Sequence, residues 1–152
     1  MSIHLKQIMR ITSERSHTCL TDAGLLYLRV TGSVLVLVVH GLPKAMHFTS
    51  QAAAIEDPLH IGKTLTLCFA IFGEVFCPLL MIAGIATRVA ALPILLITAM
   101  ALAMVHREWT LEQGQFAWML LIIFGTVALA GAGHYRISAF LAPRSPRGNT
   151  RR

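Results

Sequence analysis

Apolar positions gather into four long blocks, at about residues 23–42, 64–84, 88–106 and 116–131, separated by polar or glycine-marked connections. At a helical rise of about 1.5 Å per residue, blocks of this size are matched to the hydrocarbon core of a bilayer. The pattern predicts an all-α fold, an integral membrane four-helix bundle. Thr21 or Asp22 is placed to cap the first block and Pro43 to stop it. The second ends at Gly84, in the turn GIATR. The third opens at Arg88, passes Pro93 one turn in, where few helix bonds are yet formed, and closes at His106 beside Arg107, Glu108 and Trp109. The fourth has Trp118 near its outer end and leaves the membrane through GAGHY.

Residues 1–22 carry Lys6, Arg10 and Arg15 among apolar residues, without the long apolar core of a secretory signal. No cleaved signal is expected, and an unstructured cytoplasmic tail is favoured over a surface-lying amphipathic segment. The folded domain is expected over 23–141, followed by a basic tail, 142–152.

Composition agrees with the blocks. The chain has 152 residues, 55% of them hydrophobic and 13% charged, which leaves room for several spans and no added soluble domain. A net charge of +6 would suit nucleic acid, but Arg136, Arg144, Arg147, Arg151 and Arg152 crowd the end of the chain, where they act as a topology signal. No nucleic-acid partner is expected; the lipid bilayer is. With both termini inside, the inner segments collect those arginines plus Lys6, Arg10, Arg15 and Arg88, against Lys44, Lys63 and Arg107 outside. The positive-inside rule therefore puts both ends in the cytoplasm.

Against this apolar background the ionisable residues define the candidate chemistry. Glu74 sits near the middle of the second block, where an ionised carboxylate needs a cation, a polar partner or a proton. Pro78, four residues on, has no N–H to give to the Glu74 carbonyl. In the first block Arg29, Gly32, Val36 and His40 recur at helical intervals and share one face. Arg29 is then expected either to pair with Glu74 from below or to snorkel to the cytoplasmic headgroups. With pairing favoured and His40 above, the three form a polar column suited to protons or to a quinone-like head group. Lys44 and His106 lie toward the outer face and Arg88 approaches from the inner one. The histidines of the first connection match no metal-ligand spacing, and no metal site is expected. Cys68 and Cys77 fall on opposite faces of one helix, which excludes an intrahelical disulfide.

Several local signatures, taken in order, resemble the DoxX family of small four-helix bacterial membrane proteins. They are LRVTG with Arg29, HGLPK with His40, Gly41 and Lys44, the IEDPLHIG loop, GEVFC with Glu74 and Cys77, GIATR with Arg88, MVH with His106, and GAGHY. The resemblance runs from about Leu25 to Leu141. It departs at the closing motif, which in the family reads like GPGRYSLD: here Ala132 replaces the proline, His134 the arginine and Ser138 the aspartate. Gln115 stands where many members carry a glutamate. The resemblance implies a bacterial cytoplasmic membrane location and redox work. The family name is tied to a subunit of a thiosulfate:quinone oxidoreductase, and other members are associated with a complex that tethers soluble thiol- and superoxide-handling enzymes.

The expected function is support of a membrane-linked redox process, with quinone or a small sulfur compound bound near Glu74, Arg29, His40, Lys44, His106 and Arg88. No other cofactor is evident, so any catalysis would be that of a non-autonomous oxidoreductase subunit working with soluble or membrane redox partners. Two alternatives are a scaffold that anchors such enzymes without chemistry of its own, and a small carrier or proton pathway.

Overall fold

A computed structural model describes residues 2–136 of the chain, with side chains from Thr18 onward. The described residues contain helices and no strand. Four helices are long and apolar enough to cross a membrane: Thr18–Met46, Lys63–Ala83, Thr87–Val105 and Leu111–Ala130. The first packs on the second and fourth, and the third on the second and fourth, so the spans close into a ring of neighbours. Arg29 binds the carbonyls of Ala132 and Tyr135, and Asp22 accepts from the backbone N–H of His134. The start of the first span, the 84–87 turn and the segment after the fourth span therefore share one end of the bundle. The connections 47–62 and 106–110 form the other.

The second and third spans lie within a residue of their expected limits, whereas the other two differ for identifiable reasons. Helix begins at Ser2 and runs unbroken into the first span, correcting the expectation of an unstructured tail. No proline or glycine occurs between Ser2 and Asp22, so a helix nucleated in the span meets nothing that stops it. Pro43 does not end that span either. A π turn, Leu37–Gly41, precedes it, and Leu42 N–H reaches back five residues to the Leu37 carbonyl. This wider turn makes room for a proline ring that would otherwise press on the carbonyl four residues behind. The same device recurs before Pro78, where Phe72–Phe76 is a π turn. The fourth span starts at Leu111 because Thr110 and Gln113 form a reciprocal capping box, at 3.3 and 2.9 Å. The basic tail 142–152 and Ser138 lie outside the described residues.

The bundle interior is made of Val36, Cys77, Met81, Ile94, Phe124 and Val127 with small residues between them, while Val38, Phe69, Phe72, Leu92, Leu96 and Ile122 point outward. In water that outer surface would be an aggregation liability; in lipid it is the solvated face. Cys68 is exposed and Cys77 buried, as their nine-residue step requires. The turn after the second span is a helix stop: Gly84, at φ 72°, lets Ile85 N–H return to the Leu80 carbonyl at 2.9 Å.

The connection between the first two spans is ordered by one carboxylate. Asp57 accepts from Ile61 N–H, Gly62 N–H and the Thr66 hydroxyl at 3.2, 2.7 and 2.7 Å, fastening the loop to the start of the second span. The Thr66 hydroxyl, followed by the two amides, holds the Asp57 carboxyl below its ordinary value. A carboxyl depressed by folding stabilises at pH above its unfolded value and loses that contribution as pH falls through the folded one. Amide exchange at Ile61 and Gly62 should thus stay slow through the ordinary range of aspartate titration and accelerate only below it. Asp57→Ala should accelerate it at all pH values, as measured by hydrogen–deuterium exchange.

Candidate functional site

Helix direction decides which charges meet. Side chains of a helix lean toward its N-terminus, and adjacent spans run in opposite directions. Lys44, near the end of the first span, therefore leans into the bundle. Glu74, on a span that descends from the 47–62 connection, leans back toward that connection. The two meet: Lys44 Nζ donates to both carboxylate oxygens of Glu74, at 2.7 and 2.5 Å. Glu74 is buried and Lys44 half-buried, with side-chain exposures of 9% and 22%.

The same rule sends Arg29 the other way. The expected Arg29–Glu74 ion pair is not formed, because the Arg29 side chain leans toward the start of its own span, away from Glu74. It is 1% exposed and donates through its two terminal nitrogens to the carbonyls of Ala132 and Tyr135, each at 2.9 Å. Ala132, where the resemblance leads one to expect proline, serves through its carbonyl, which either residue supplies. The shared face of the first span is real: Arg29, Gly32 and Val36 all point inward. Its two ends nevertheless belong to different polar clusters, so the continuous column from Arg29 through Glu74 to His40 is corrected to two separate sites.

His40 belongs to the Glu74 cluster. It lies within electrostatic reach of both Glu74 and Lys44, and its ring is tilted against Phe116 with centroids 5.6 Å apart. Its Nε2 is buried without a hydrogen-bond partner. The remaining expected residues are elsewhere. His106 stacks on Trp109 at 3.7 Å at the end of the third span, and Arg88 lies at the opposite end of the bundle, where it reaches the Ala130 carbonyl at 3.4 Å. Among the described residues no group of three His, Cys, Asp or Glu side chains converges as a metal site.

The backbone under the ion pair is unusual. The π turns of the first and second spans pack against each other, and Gly41 lies on the Glu74 peptide. A β-carbon at position 41 would overlap the Glu74 carbonyl oxygen and lie 2.8 Å from a Val75 methyl. This is the carbonyl to which Pro78 offers no N–H. Phe116 and the paired π turns are the elements that sequence reasoning missed; the recurrence of proline shortly after His40-Gly41 and after Glu74 was the available signal for the turns.

The family model described as DoxX matches residues 24–107. Comparison with curated proteins and with solved structures finds no match. The matched segment spans more than half of the chain and includes Arg29, His40, Gly41, Lys44, Glu74, Arg88 and His106. This chain belongs to the DoxX family, and it is a membrane protein with four transmembrane helices.

Two substitutions test the geometry. Gly41→Ala forces a methyl into backbone that cannot yield and should destabilise the bundle by about 3 kcal/mol, the upper range for overpacking. Lys44→Met leaves Glu74 buried and unpaired and should cost about 3 kcal/mol, while the double change Lys44→Met/Glu74→Leu should recover most of that loss. Reversible unfolding in mixed micelles measures both.

Proposed function

We propose that this DoxX-family protein supports a redox process in the bacterial cytoplasmic membrane by holding quinone, or a small sulfur compound, beside Lys44, Glu74 and His40. The observation that carries the reading is the buried, unpartnered Nε2 of His40 next to a buried ion pair. A polar atom left without a partner in a low-dielectric interior is costly, and a ligand oxygen or sulfur that bonds to it removes that cost. Phe116 supplies an aromatic face beside the same imidazole. Lys44 bonds to both oxygens of Glu74, so the imidazole of His40 is the polar group that the ion pair leaves without a partner. The electrons come from a redox partner, and this chain contributes binding, orientation and proton exchange at His40. The arginine distribution supports the reading in which both termini are cytoplasmic and this site faces the outer leaflet.

A second reading is favoured by the closure of Lys44 on both oxygens of Glu74. Such an ion pair can serve as a pin that sets helix register in a scaffold for soluble redox enzymes. The readings separate on His40→Phe, which keeps an aromatic filler and removes the imidazole. Quinone binding to the purified chain, followed by quenching of Trp109 and Trp118 fluorescence with a water-soluble ubiquinone analogue, should weaken roughly tenfold in this variant with the melting temperature preserved. Absence of quenching in the wild type, or equal quenching in both proteins, removes the quinone reading. Quenching by thiosulfate or sulfide alone selects the sulfur ligand.

A further inference from the structure

The opposite end of the bundle contains a second polar cluster with a different chemistry. A cleft of about 560 Å³ opens there between the 84–89 and 130–136 segments, with Arg88 and Arg136 in its lining and no carboxylate there among the described residues. The third span begins in this cleft. No side chain caps its N-terminus and its first turn contains no acidic residue, so no acid of its own offsets the positive end of its dipole. Thr87, also in the lining, is only 4% exposed, yet its hydroxyl has no hydrogen-bond partner.

Arg29 borders the same place from inside. One of its terminal nitrogens would lie 2.9 Å from a β-carbon on Gly84, as would the β-carbon of Arg136. Its acceptors are neutral carbonyls and its Nε is buried and unpaired. Among the described residues none of the guanidinium groups of Arg29, Arg88 and Arg136 forms an ion pair. The nearby carboxylate, Asp22, is outside the lining and is engaged by His134 N–H at 3.0 Å. A helix N-terminus beside the exposed guanidinium groups of Arg88 and Arg136 in one cleft is complementary to a tetrahedral oxyanion, and Thr87, with its buried and unpartnered hydroxyl, belongs to the same lining.

The ends of the spans give the depth. Thr87 is the first residue of the third span and Ala130 the last of the fourth, so the cleft lies at the level where lipid phosphates begin. We propose that this cleft binds a phosphate group through Arg88, Arg136, Thr87 and the first-turn amides of the third span. The group is either the phosphodiester of an anionic lipid or free phosphate. The site is separate from the Glu74 cluster and independent of its function.

The test uses the full chain in nonionic detergent with dioleoyl phosphatidylglycerol, dioleoyl phosphatidylcholine and inorganic phosphate as probes. Lipid adducts are counted by native mass spectrometry, and phosphate is followed by thermal shift. The expected result is a preference for one phosphate source that falls roughly tenfold or more in Arg88→Gln/Arg136→Gln. Both arginines are exposed, so the variant keeps its fold, and Arg107→Gln at the far end should bind like the wild type. Preference for phosphatidylglycerol over phosphatidylcholine identifies the lipid as the source, whereas saturation by phosphate without lipid preference identifies the free ion. Thr87→Val should weaken whichever binds. Failure of every probe to bind, or equal binding in the wild type and the double variant, overturns the proposal.

Discussion

A carboxylate in the middle of a membrane helix must be neutralised from within the bundle, and here the neutralising group is the Lys44 ammonium, which bonds to both oxygens of Glu74. The pair depends on helix polarity: a lysine near the end of an ascending helix and a glutamate on a descending one lean toward each other. It joins the first two spans across the interior. With the charge satisfied, the surrounding lining can be apolar or small, as Gly41, Gly73 and Cys77 are. The same polarity isolates Arg29, which is satisfied at the other end by carbonyls that follow the fourth span.

The backbone adapts to this pair. Two π turns, each shortly followed by proline, face each other at the level of His40, Gly41 and Glu74. Widened turns reposition side chains relative to a regular α-helix, and they recur at functional sites in other helical proteins. In this bundle they bring Gly41 onto the Glu74 peptide and leave His40 with an unpaired ring nitrogen beside an ion pair. The polar interior is consequently divided into two ends: an ion pair with an imidazole at one, and uncompensated cations around a helix start at the other. A ligand suited to the first, neutral and able to share a hydrogen bond, differs in kind from the anion suited to the second.

Much of this was legible in the residues. Block lengths define the four spans, the position of Glu74 marks it as the residue needing a partner, and the helical spacing of Arg29, Gly32, Val36 and His40 identifies the inward face. Depth along the helix axis alone favours Arg29 as the Glu74 partner, whereas the lean of the side chains toward the helix N-terminus selects Lys44. Pro43 was read as a stop because a π turn leaves no hydrophobic period of its own. Thr110 and Gln113, by contrast, form an ordinary capping signal that was present and passed over in favour of the apolar block downstream. The phosphate-type cleft needed three segments to be brought together, and neither spacing nor composition specifies that meeting.

The Lys44–Glu74 contact is tested most directly by solid-state NMR of the protein in lipid bilayers, with lysine side-chain nitrogen and glutamate side-chain carbonyl carbon labelled and the pair resolved by Lys44→Arg and Glu74→Gln controls. The account predicts strong dipolar dephasing between Lys44 Nζ and the Glu74 carboxyl carbon, as required by contacts of 2.5 and 2.7 Å to its oxygens. A Glu74 without that coupling, or one coupled instead to the Arg29 guanidinium, would contradict it.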